Sequence, residues 1–353
     1  LALSELGPNL VLALQAFVFP VGPLASGLVG LGVSPSVAVM VVGLPTLAVL
    51  VWILRRCSSW GQILLLFGWW IAWCLPPLAT LQNSWLQDAP RVFYAGAVGP
   101  ALLLARAIGH GSHRARAAVA VTLALLCILP AAWFVAGRMK LNTQVGELLW
   151  EVVATATDIK PLLVVNLPSR ITPPTQFYPL GHEGIIPLPP QVGADDLLIA
   201  HTGQAGAAVE RSWGPVLPSL PYSVRPLGTP VALQDLWESA RVALVIFRDD
   251  GMSLRVVGSV VPAQISQDRE PGLVLFGQDL ELVSASCAWS GSELIVLSTS
   301  WQQLAQIDGT PTMFAHLLRA DGTLLSQSDG DPLQGLYPFY TWQVGEVVHD
   351  TRV

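Results

Sequence analysis

Residues 6–54 carry no charged side chain, and neither do residues 57–87. In hydrocarbon every backbone amide must be satisfied within its own segment, and a helix needs about 20 apolar residues to cross. Runs this long and this free of charge therefore place part of the chain in lipid. Composition agrees, with 52% hydrophobic and 12% charged residues, against roughly 25% charged in soluble domains.

Charge divides the chain into two materials. Up to Lys140 there are two acids (Glu5, Asp88) and eight bases, a net of +6; the totals of 24 acids and 18 bases leave 22 and 10 for the remainder, a net of −12. No basic stripe exists outside the membrane flanks, which excludes a nucleic-acid partner. Of the four cysteines, Cys57, Cys74 and Cys127 lie in or beside apolar runs and only Cys287 belongs to the second half, so no disulfide framework is expected. Without a C-x-x-C or a Cys/His cluster, no metal and no cofactor are expected either. The chain begins at Leu1 with no basic stretch before its first apolar run, which reads as a processed or incomplete start rather than a signal peptide.

Five spans are predicted, at about Leu10–Leu31, Val37–Leu54, Gln62–Leu81, Val92–Ile108 and Ala117–Gly137. Pro20 and Pro23 fall in the first, which is expected to be kinked or re-entrant. Arg55 and Arg56 lie between the second and third spans; Arg106, Arg114 and Arg116 lie at or after the fourth. Two crossings separate the groups, so both face one side, and the positive-inside rule makes that side cytoplasmic. Arg138 and Lys140 oppose the rule, two charges against five. Trp52, Trp60, Trp85 and Trp133 fall near span ends, where interfacial tryptophans gather.

In the outer half, Leu141–Thr157 predicts a helix, with Val145, Leu148, Leu149, Val152 and Val153 at helical spacing. Leu162–Pro168, Leu197–His201 and Ala243–Phe247 read as short apolar strands, and Leu233–Arg241 as a helix. From Leu254 the pattern turns to strands (Leu254–Val261, Leu280–Trp289, Leu294–Ser300, Met313–Leu318) with Asp-Gly pairs at 250–251, 308–309, 321–322 and 329–330. Asp-Gly is a strong hairpin signal, and short strands with regular turns point to an antiparallel sandwich. The expected fold is thus an all-α membrane bundle of about five spans (1–137). An extracytoplasmic α/β region (138–250) and a β-sandwich-like domain (251–353) follow it.

Few residues have the chemistry of a site. Asp88, Arg91 and Tyr94 form the main polar constellation of the membrane half. The guanidinium fork suits a lipid-linked phosphate, while an Asp/Arg pair three residues apart is also what anchors a helix start at an interface. Arg55 and Arg56 suit a headgroup, or serve as topology determinants together with Arg106, Arg114 and Arg116. His110 and His113 have helical spacing but lack a third ligand, and Asp329-Gly-Asp331 supplies too few oxygens for calcium. Trp289, Trp301, Trp342 and Tyr340 suit a sugar platform or, more commonly, a core.

Asp88-Ala-Pro-Arg91-Val-Phe-Tyr94 followed by Gly99-Pro-Ala-Leu-Leu-Leu-Ala105 resembles a loop-to-helix segment of bacterial GT-C membrane glycosyltransferases. These are polyprenyl-phosphate-sugar-dependent enzymes related to protein O-mannosyltransferases. The strand Leu162–Pro168 is similar too. So is the run Phe314–Gly322, Gly335–Pro338 and Trp342–Asp350, which looks like the accessory sandwich that follows the membrane part of some such proteins. The resemblance implies a polyprenyl-phosphate lipid as partner and a sandwich continuing by further strands beyond Val353. The family's acidic pair in the first outward loop has no counterpart, since Asp88 is the one acid in the outward loops before Gly137. Two functions follow as expectations. One is a non-catalytic subunit or scaffold of a larger inner-membrane complex, held by the bilayer and by other membrane subunits. The other is the later portion of a GT-C glycosyltransferase.

Overall fold

A computed structural model describes residues 3–17, 21–57, 59–83, 86, 98–99, 101–102, 105, 113–159, 161–172, 179–180, 184–189, 191–214, 223–248, 251–263, 272–290, 294–307 and 309–353. The chain forms two compact units. One comprises 1–140 with 172–185, the other 141–171 with 186–353.

The first unit is helical: α1 (Leu3–Phe17), α2 (Gly22–Gly30), α3 (Pro35–Cys57), α4 (Trp60–Thr80) and the first part of α5 (His113–Asp158). At 1.5 Å per residue, α3 and α4 are about 34 and 31 Å long, enough for a ~30 Å hydrocarbon core. They are the two described helices long and apolar enough to cross a membrane, and only 22% and 17% of their apolar windows are buried in the protein.

The five-span bundle does not hold. The expected first span is two helices, of 15 and 9 residues, about 22 and 13 Å long and so each too short to cross. Pro20 falls between them in sequence, and proline lacks the amide donor that a continuing helix needs. The expected fourth span, Val92–Ile108, lies almost wholly outside the described residues. The fifth, Ala117–Gly137, is part of a 46-residue helix that continues to Asp158.

Polar side chains fasten the short helices. Asn9, fully buried in α1, donates to the Leu78 and Leu81 carbonyls at the end of α4, 3.0 and 3.2 Å away, and accepts from Asn83. Pro76 and Pro77 lie in that last stretch of α4, and interhelical amide bonds are how lipid-embedded helices satisfy such groups. The Gln15 side chain pairs in both directions with the backbone of Leu180. Gly43 brings α3 against α1, since a Cβ there would lie 2.9 Å from Cγ of Leu14.

The second unit is built on one eight-stranded mixed sheet. Its strands are β1 (Leu162–Val165), β3 (Ala208–Arg211), β5 (Arg241–Phe247), β6 (Met252–Val261), β7 (Val274–Phe276), β8 (Leu280–Ser290), β9 (Leu294–Gln303) and β12 (Val347–Arg352). Their order is β3-β1-β5-β6-β12-β9-β8-β7. β3, β1 and β5 run parallel, and from β5 onward each neighbour is antiparallel. Two-stranded sheets pair β2 (Pro168–Thr172) with β4 (Ser223–Pro226) and β10 (His316–Leu318) with β11 (Leu324–Gln327).

Alternation along β1 and β5 sends side chains to two cores. Leu162, Val164, Ala243 and Val245 pack with Leu148, Val152 and Ala156 of α5 and with Leu198 of α6 (Ala194–Thr202). Leu163, Val165, Val242 and Leu244 pack with Leu236 of α7 (Leu233–Glu238) and with Leu333, Leu336, Tyr337, Phe339 and Trp342.

The separate sandwich is also corrected. The Arg248 and Gly251 backbones bond each other across the expected Asp250-Gly251 turn, so β6 folds back along β5 and extends the α/β sheet rather than starting another. Leu197–His201 is helix, not strand. Asp195 and Asp196 occupy its first turn, the Asp196 carboxylate accepts the Gly193 N–H at 2.9 Å, and Gly203 closes it at φ 71°.

β12 also holds the buried ion pair of the domain. Asp350 and Arg352 are 1% and 3% exposed and meet at 2.6 Å. Arg352 donates to the Ser328, Gly330 and Asp331 carbonyls, and Asp350 accepts the Leu333 N–H at 2.7 Å. Removing one partner strands the other charge in the core. Arg352→Met is expected to lower unfolding stability by about 3–5 kcal/mol, and adding Asp350→Asn should restore part of it, as read by urea unfolding of the purified protein.

Candidate functional site

Among the sequence-predicted residues, Arg55 and Arg56 are in the last turn of α3, both exposed. The Arg56 guanidinium lies 4.0 Å from the Trp52 ring centroid and that of Arg55 4.8 Å from Trp60. Cations stacked on tryptophan at one end of two apolar helices make a belt of the kind found where lipid meets water. Arg114 is exposed near the start of α5, and Arg116 is in the same helix. Asp88, Arg91, Tyr94 and Arg106 lie outside the described residues, so the phosphate constellation has no geometry to set beside this belt.

In the sheet unit several charged groups are bonded within the protein. Glu346, 1% exposed, accepts from the Trp237 indole, the Tyr337 hydroxyl and the Gln343 N–H, each at 2.7 Å. Burial, and then the Glu346 bond, push the Tyr337 hydroxyl far above its ordinary titration range. Arg211 meets Asp235 at 2.7 Å. Burial alone would raise the Asp235 carboxyl, but the Arg211 hydrogen bond and the Ala232 N–H hold it below its usual value. No group of three His, Cys, Asp or Glu able to hold a metal occurs among the described residues. Asp329 bonds the Ala315 N–H and His316, and so serves a turn.

The four aromatics do not form one platform. Trp342 is buried against Tyr337 and Phe339, Trp301 packs partly on the same core, and Trp289 and Tyr340 stand exposed.

A hydroxyl–imidazole row crosses three strands. Ser284 of β8 donates to Ser300 of β9 at 2.8 Å, and Ser300 is 2.8 Å from Nδ1 of His349 in β12. Sequence reading passed over it because its members are 16 and 49 residues apart; only the strand registers align them. A serine next to a histidine suits nucleophilic catalysis when the imidazole can take up charge. Here burial, and then the Arg241 cation, lower the His349 pKa, which disfavours the imidazolium a general base must become.

Part of the uncovered surface of the sheet unit is apolar. Leu273, Val274, Leu275 and Phe276, at and just before edge strand β7, are 62%, 47%, 60% and 50% exposed. Phe314, Leu318, Leu324 and Leu325 of the β10–β11 hairpin are likewise exposed. The opposite edge, β3, carries Glu210 and Arg211, as protected edges do.

Comparison with known proteins returns no matching family model, no matching curated protein and no matching solved structure.

His349 gives the sheet unit a pH dependence. Its folded pKa is depressed, so the unfolded chain binds the proton more readily and stability is full above the unfolded value of about 6.5. Stability should fall as pH drops below about 6.5 towards the folded pKa, and His349→Gln should flatten that slope in urea unfolding measured from pH 8 to 5.

Proposed function

We propose that this chain is a non-catalytic subunit of a larger membrane assembly, anchored through α3 and α4 and joined to a partner through the edge of its sheet. The observation that carries the reading is the contrast between edges. β3 is charged, whereas β7 offers Val274, Leu275 and Phe276 with no charge and no proline among them. Such an edge is a template for another strand, and proteins that work alone blunt it. The occupant proposed is an extended strand of a different membrane subunit, added by main-chain hydrogen bonds with alternate side chains setting specificity.

The protein is proposed to reside in the inner (plasma) membrane. Arg55 and Arg56 support a cytoplasmic α3–α4 connection by the positive-inside rule, and the reading puts the sheet unit outside. In a cysteine-free background, Ser59→Cys should react with an impermeant maleimide only from the cytoplasmic face and Ser326→Cys only from the outer face. Reaction of both from one side would remove this topology.

The second reading, a GT-C glycosyltransferase portion acting on polyprenyl-phosphate sugar, rests on the Asp88–Tyr94 resemblance. The two readings separate in one preparation. Purified from its native membrane in mild detergent, the protein should run as a complex larger than one chain. Leu275→Lys should reduce it to single-chain mass, and Val209→Lys on the opposite edge should not. A single-chain mass for the unaltered protein would sink the scaffold. Sugar transfer by the purified chain alone, lost in Asp88→Asn with folding intact, would establish the enzyme instead.

A further inference from the structure

Strand order reverses at β1: α6 leads from β1 to β3 on one side, and α7 leads from β3 to β5 on the other. In open α/β sheets, ligands occupy the crevice outside the carboxyl ends of the strands at such a reversal. A cleft of about 300 Å³ lies near that reversal, beyond the carboxyl end of β3 and beside the start of α7. Trp213, just beyond β3, forms one wall. Leu233 and Leu236 of α7 form a second, and Leu336, Tyr337 and Thr341 a third.

Backbone strain collects around this cleft. Among the described residues, the non-glycine positions with positive φ are Asn166 (62°), Leu333 (53°) and Gln334 (59°). Asn166 follows β1, and its side-chain oxygen accepts the Trp213 N–H at 2.8 Å, fixing that wall. Leu333 and Gln334 form the turn that delivers Leu336 and Tyr337. Next to them Gly335, at φ 89°, lies so close to the indole that a Cβ would be 3.3 Å from Trp213 Cη2. Residues held off their favoured conformations cost about 1–3 kcal/mol each and gather where a fold shapes a ligand site.

Wall chemistry selects the ligand. Among the described residues, no charged side chain lines the cleft. The polar groups of the third wall are engaged within the protein, Tyr337 with Glu346 and Thr341 with the Pro338 carbonyl. What remains is aliphatic surface and the Trp213 ring, 38% exposed. The volume stands at the lower end of the ~300–1,000 Å³ of ligand pockets, room for one or two rings. We propose that this cleft is a binding site for a small uncharged aromatic molecule that stacks on Trp213.

The test is ¹⁹F NMR of the full chain in lipid nanodiscs, labelled with 5-fluorotryptophan, the Trp213 resonance being assigned through Trp213→Phe. Titration with indole should shift that resonance saturably, and benzoate, which carries a charge, should not. Leu233→Phe, which fills the cleft, should weaken the indole response at least tenfold while the other tryptophan resonances hold their positions, showing an intact fold. A non-saturable shift, an equal response to benzoate, or a response unchanged by Leu233→Phe would overturn the site. Binding of N-acetyltryptophanamide as tight as that of indole would also overturn it, in favour of a partner's inserted side chain.

Discussion

The sheet unit depends on β12 entering between β6 and β9. The register pairs Val348 with Val260 on one side and with Trp301 on the other. Without that strand, the α/β half ending at β6 and the antiparallel half starting at β7 have no ladder in common. The strand also carries Asp350 and Arg352, whose bonds to Leu333, Ser328, Gly330 and Asp331 position the segment that closes one face. An ion pair in a dry interior costs desolvation; here it supplies the donors and acceptor for a turn whose carbonyls would otherwise be buried unbonded.

Sequence alone conveyed the elements better than their assembly. The spans at Val37–Leu54 and Gln62–Leu81 were legible because uncharged length is decisive in lipid, and α3 and α4 contain nearly all of both. The helical stripe was legible from its period, and Leu148, Leu149, Val152 and Val153 of it do pack on the sheet. Asp321-Gly322 turns β10 into β11, with Gly322 at φ 85° and its N–H bonded to the Arg319 carbonyl. Leu197–His201 misled because four apolar residues and a histidine fit a strand as well as a helix; Asp195 and Asp196 before it, and Gly203 after it, held the better signal. The single sheet was hidden because β6 and β12 meet across some ninety positions, and no local pattern encodes such a pairing. The cleft was hidden for the same reason: Trp213, Leu233 and Tyr337 become neighbours only through it.

The two units use polar groups in opposite ways. In the helical unit, amide side chains such as Asn9 and Gln15 close backbone groups that proline or a helix end leaves open, and arginines stay at the rim on tryptophan rings. In the sheet unit several charges are internal, Glu346, Asp350 and Arg352 among them, while others such as Arg225, Arg241 and Arg319 are exposed, and apolar surface gathers at β7 and on the β10–β11 hairpin.

The placement of β12 also sets an order of events during synthesis. From Val261, the last residue of β6 in the pairing, to Val347 there are 86 positions. At ~5–20 residues per second, β6 therefore waits about 4–17 s at the ribosome before its neighbour exists. For that interval β6 presents a bare, β-branched edge, and β9, complete 44 positions before Val347, presents another for the second half of it. The yield of the folded sheet should then track how quickly the stretch from β6 to β12 is translated.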